Sequence, residues 1–179
     1  MSPELPAPIA EKNEDSFMNL RNSLAGTIEH NLDPKRRIMI PARWREKMGN
    51  PKHLFVLPDP KEKCLSIVQY AEMALIQEKL RKINSFHPGY AKLMRNFWSN
   101  CENVELDSAG RMRISEKFLM YAGITNVVML MGCDRRIQLW APGACSSVVG
   151  GRDLDEVNPD ELADTHQAIF ELLEGGQSL

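Results

Sequence analysis

The sequence predicts an α+β fold: two copies of one small β unit, a helical hairpin inserted between them, and a helix after the second copy. Three observations carry this reading. A charged phrase and its surroundings occur twice in the same order, as "LDPKRRIMIPARWRE" (32–46) and "LDSAGRMRIS" (106–115). The short apolar segments of both copies alternate with period 2. Two stretches outside the copies have apolar residues at helical spacing.

The elements follow in order. Residues 1–23 form a Pro- and Glu-rich extension, expected to be flexible, without the basic start and apolar run of a secretory signal. Residues 24–70 are the first repeat and 101–145 the second. Setting Leu32-Asp33 on Leu106-Asp107 also sets Arg37 on Arg111, Ile40 on Ile114, Trp44 on Phe118 and Gly49 on Gly123. "LFVL" then falls on "VMLM", and after a slightly longer loop in the first copy "CLSIVQ" meets "RIQLWA". Each repeat reads as an extended segment, an Asp-led turn, a strand, a short helix and two closing strands. The helices are signalled by Pro41 at one start and by Gly49 and Gly123 just past the ends.

Residues 71–100 predict the helical hairpin. Met73, Ile76, Leu80 and Ile83 make one stripe, Pro88-Gly89 breaks it, and Tyr90, Leu93, Met94 and Phe97 make another. Core is the commoner use of such stripes, with a neighbouring subunit as the other. Residues 146–179 predict a linker and an acidic helix, with Asn158 as N-cap, Pro159 at N1, Glu161 at the capping-box position and Gly175 past the end.

Charge is unevenly spread. The formal net charge is −2, yet residues 1–22 carry −2 and residues 152–179 carry −7, leaving +7 on the middle of the chain. A basic body between acidic ends suits a polyanionic partner. No apolar run is long enough to cross a bilayer, so no membrane partner is expected. Cys64, Cys101, Cys133 and Cys145 stand far apart, with no ligand pairing, which predicts reduced thiols in a cytoplasmic protein and no metal site. No phosphate-binding loop, HExxH, GxSxG or convergent carboxylate set appears, so neither enzyme, cofactor nor small-molecule substrate is expected.

The repeated phrase is where chemistry gathers. In "DSAGR", Asp107 can open a type I turn and bond its backbone N–H groups, with Gly110 in the left-handed region. Arg111 then leaves a stiff turn at a set place on the strand. Alternation puts Ile38, Ile40, Met112 and Ile114 on one face, and Arg37, Arg111 and Arg113 on the other. Held arginines of this kind suit guanine edges or phosphates. Arg43 and Arg45, on the following helix, suit either pairing with acidic neighbours or phosphate contact.

These two phrases resemble the paired Asp-x-x-Gly-Arg motifs of the MraZ family, relatives of the AbrB-type transition-state regulators, and the resemblance spans residues 24–145. It implies two tandem AbrB-like swapped-hairpin units forming a double-split β-barrel. It also implies a cytoplasmic, nucleoid-associated regulator of its own division and cell-wall gene cluster. Its implied partners are double-stranded DNA and further copies of the chain, assembled as a ring over closely repeated sites. Arg37 matches the motif arginine, Lys35 the basic residue two before it, and Arg111 the second-copy arginine; Arg36 and Arg113 join them by position and charge. Two departures stand out: Arg36 replaces the family's usual glycine, and Ser115 replaces its usual proline. The first turn therefore either changes type around Pro34 or accepts strain. Its altered glycine also admits a protein–protein module, scaffold or antitoxin, with degenerate DNA binding.

Overall fold

The computed structural model describes residues 21–145. Residues 1–20 of the N-terminal extension and the whole of 146–179, with its expected acidic helix, lie outside the described residues. In order, the elements are β1 (Leu24–Asn31), β2 (Arg37–Met39), α1 (Ala42–Lys47), β3 (His53–Pro58) and β4 (Leu65–Val68). The helices α2 (Tyr70–Arg81) and α3 (Tyr90–Ser99) follow. The second copy then supplies β5 (Glu102–Glu105), β6 (Arg111–Arg113), α4 (Glu116–Ala122), β7 (Val127–Asp134) and β8 (Arg136–Trp140). The fold is α+β, as predicted.

All strand pairs are antiparallel. One six-stranded sheet runs β1-β7-β8-β4-β3-β5, and β2 and β6 make a separate two-stranded ribbon. The first strand of each copy thus lies against the third strand of the other, and the fourth strands meet in the middle. Reversing the sheet order exchanges the copies. The registers obey the same symmetry: Ile38 pairs with Met112, its own repeat equivalent, and Ser66 pairs with its equivalent Gln138. Asn31 opposite Val127 likewise corresponds to His53 opposite Glu105. A pseudo-twofold axis therefore passes through the ribbon and the sheet centre.

The core is filled by equivalent pairs. Ile38 and Met112, Ile40 and Ile114, Trp44 and Phe118, Leu54 and Val128, Val56 and Leu130 are all buried in one cluster. Period-2 alternation drives this, because one face of each short strand must leave water. Neither copy could close such a core alone, so each completes the other.

The hairpin departs from the expectation of core. Met73 is the buried residue of α2, whereas Tyr90, Leu93, Met94 and Phe97 sit on α3, which buries none. Phe86, between the helices, is 93% exposed, and Leu75, Leu93 and Trp98 are exposed as well. The two β units cover each other in one core cluster, to which neither α2 nor α3 contributes a residue. The root of α2 is secured by Tyr70 against the Phe55 ring at 4.8 Å and by Arg136 on Glu72 at 3.5 Å.

Candidate nucleic-acid interface

The turns entering β2 and β6 are built alike. Asp33 Oδ1 accepts the backbone N–H of Lys35 (2.8 Å) and of Arg37 (2.9 Å), while Asp33 Oδ2 accepts Arg37 Nε at 2.7 Å. Asp107 repeats each bond, from the N–H of Ala109 (3.0 Å) and Arg111 (2.9 Å) and from Arg111 Nε (2.8 Å). Burial acts to raise the Asp33 pKa. Bonds from the Arg37 backbone and side chain and the Lys35 N–H, with the Arg37 charge, outweigh it and hold that pKa below the usual 3.8. The Arg111 N–H is the main cause of the same lowering at Asp107, against burial and with help from the Arg111 side chain, the Ala109 N–H and the Arg111 charge. Each turn is a charged clamp on its own arginine.

The ribbon turns these arginines outward. Opposed residues of an antiparallel pair share a face. Ile38 and Met112 are buried, so Arg37 with Arg113, and Met39 with Arg111, face away from the core. Three arginines side by side would repel. The carboxylates offset this, since Asp107 Oδ2 also lies 3.4 Å from Arg37 Nη1 and ties the two strands across the ribbon. Lys35 and Arg113 are exposed and make no ion pair among the described residues. Arg111 is held through its inner nitrogen Nε, which leaves both terminal nitrogens as donors. A two-stranded ribbon fits the DNA major groove, where arginine donors can meet guanine O6 and N7.

Three of the five candidate residues, Arg37, Arg111 and Arg113, come together on this face, and Lys35 is exposed in the turn that enters β2. Arg36 is placed elsewhere. The first turn keeps its shape and Arg36 takes the left-handed backbone, φ 59°, where Gly110 has φ 79°. Its guanidinium crosses to the second copy, where Nη1 donates to the Thr125 carbonyl at 2.6 Å and Nε lies 3.2 Å from Glu116 Oε2. Sequence reasoning missed Glu116 because it sits eighty residues away, on the helix of the opposite copy. Among the described residues Arg45 pairs with no acid: its Nε donates to the Ile40 carbonyl at 3.1 Å. Arg43 lies 5.8 Å from the Trp44 ring centroid.

Other chemistry is sparse. Among the described residues no three His, Cys, Asp or Glu side chains converge on a metal position, and no helix is long and apolar enough to cross a membrane. Burial, with Asp59 and Glu62 nearby, pushes the Cys64 thiol up to about 12, which keeps it protonated.

Comparison with known proteins is consistent across the described residues. The family model described as "MraZ protein, putative antitoxin-like" matches residues 23–96 and 97–144. "Transcriptional regulator MraZ" of Coxiella burnetii is 36% identical over 111 residues, covering 61% of this chain and 73% of the relative. The protein of the same name from Chlorobium luteolum is 33% identical over 136 residues, 70% of this chain and 88% of the relative. That of Clostridium acetobutylicum is 31% identical over 116 residues, 65% of this chain and 80% of the relative.

Proposed function

The chain belongs to the MraZ family of transcriptional regulators, and from that premise we propose that it binds specific double-stranded DNA through the β2–β6 ribbon. The observation that carries the reading is the outward face of Arg37, Arg111 and Arg113, each set by a stiff turn or a paired strand. Arg37, Arg111 and Arg113 are the base-reading candidates, and Lys35 contacts phosphate. Arg36 contributes charge beside them without facing the groove. The target is the region upstream of its own division and cell-wall gene cluster, as the family resemblance implies. The exchange of first strands between copies supports the swapped-hairpin, double-split barrel description.

Assembly completes the proposal. One ribbon offers few cations, so a single contact is modest and salt-sensitive. Copies joined through the exposed apolar hairpin would present several ribbons to repeated sites, raising avidity by about 10²–10⁴ where the spacing matches. A ring of this kind gives Phe86, Leu93 and Trp98 the cover they lack among the described residues.

The second reading, a protein–protein module, is favoured by one feature: Arg36 is engaged by Glu116 and not by an open face. A gel shift on the upstream DNA separates them. Arg37→Ala should weaken specific binding by about 1–3 kcal/mol with the oligomer size unchanged. Unaltered affinity would move the site away from the ribbon.

A further inference from the structure

We propose that the groove beside the second turn is a DNA phosphate subsite served by Arg45 and Lys52, and that the first turn has no such subsite because Arg36 fills its place. The proposal rests on the DNA-binding reading above and extends it to residues outside the ribbon.

The groove is an open cavity of about 260 Å³ between the second turn and the segment after α1, lined by Arg45, Pro51, Lys52, Ser108 and Gly110 among others. Its chemistry is set by Arg45. A Cβ on Gly110 would lie 2.4 Å from Arg45 Nε and 2.5 Å from its Cζ, so the guanidinium rests directly over the glycine. The bond to the Ile40 carbonyl uses Nε and leaves the terminal nitrogens as donors. Arg45 is half-buried, and no carboxylate lies within ion-pair distance of it among the described residues. A part-desolvated cation with no carboxylate in ion-pair contact is poised to take an anion. Lys52 adds a second charge, and Ser108 a hydroxyl at the turn tip. Two carboxylates also line the groove. Asp107 is engaged by Arg111 and Arg37, which leaves Glu105 as the opposing charge.

Pseudo-symmetry supplies the contrast. The repeat carries Gly110 onto Arg36, Pro51 onto Thr125, Arg45 onto Leu119 and Lys52 onto Asn126. At the first turn the space is occupied by the Arg36 side chain, bonded to Thr125, and both lining cations are gone. The glycine retained in one copy and lost in the other therefore separates a gripping turn from a sealed one. Phosphate contacts position a protein on the duplex without reading sequence.

The test measures dissociation constants for the specific duplex and a scrambled one across a salt series, with thermal melts to confirm folding. Arg45→Met should weaken both duplexes equally, roughly tenfold near 0.1 M salt, and make the salt slope shallower by about one. Gly110→Ala displaces Arg45 with its charge retained; it should give the same loss, and should add nothing in the Arg45→Met background. Glu105→Gln, on the surface, should tighten both duplexes. If Arg45→Met and Glu105→Gln leave affinity and slope unchanged while Arg37→Ala still weakens binding, the subsite is overturned and the ribbon reading stands. A loss confined to the specific duplex also overturns it, making Arg45 a base reader. If the wild-type protein binds neither duplex, both readings fall.

Discussion

Arg36 and Ser115 are the two positions where single residues most visibly break the symmetry of the copies. A non-glycine side chain in the left-handed region costs about 1–2 kcal/mol, and Arg36 sits there at φ 59°. Its bonds to Thr125 and Glu116 offset part of that strain. Arg36→Ala keeps the strain and loses the bonds, whereas Arg36→Gly loses both. The glycine variant should therefore be more stable than the alanine variant by about 1 kcal/mol in a urea melt, the reverse of the usual order. Ser115 occupies the place of Pro41, with φ −67° and ψ 147°, and its hydroxyl is buried without a hydrogen-bond partner among the described residues. Ser115→Pro should raise stability by about 0.5–1 kcal/mol, read from the same melt. The carboxylates Asp33 and Asp107 add a pH dependence. Their folded pKa values are depressed, so their contribution is complete above the ordinary 3.8 and is lost as pH falls through the lower folded values. The urea midpoint should drop below about pH 4, and Asp107→Asn should blunt that drop. Asp107, Gly110 and the outward arginines were legible because turn chemistry and alternation are local. Glu116 and the seat of Arg45 were not, since both partnerships cross between copies.

At the scale of elements, the repeats told most. Alternation over "RIMI" and "RMRI" predicted the inward faces, and matched glycines predicted where α1 and α4 end. Which strand pairs with which was not local information. It follows from the pseudo-twofold axis, which only the exchange of β1 and β5 between copies reveals. The stripes left core and neighbouring subunit both open for a physical reason: a 3.6-residue stripe says that a helix needs cover, and not who provides it. Because α3 buries no residue, Leu93→Glu combined with Trp98→Glu should alter folding stability by no more than about 0.5 kcal/mol. The same pair should lower the assembly mass seen by light scattering. An unchanged mass would take the hairpin out of the interface.

For the whole molecule, the decisive property is how charge is arranged on a symmetric frame. A chain of net charge −2 places Arg37, Arg111 and Arg113 on one small ribbon at the pseudo-twofold axis, with Lys35 in the turn that enters it and acidic residues concentrated toward both ends of the sequence. On the proposed function, that arrangement would make DNA binding electrostatic in origin and sequence-selective through few contacts. The most direct test is a salt titration of wild-type binding to the DNA upstream of its own gene cluster. The account predicts measurable binding at low salt and a linear fall of log K with log salt, about 0.9 units for each phosphate contacted. Absence of binding at low salt, or affinity that does not weaken as salt rises, would contradict it.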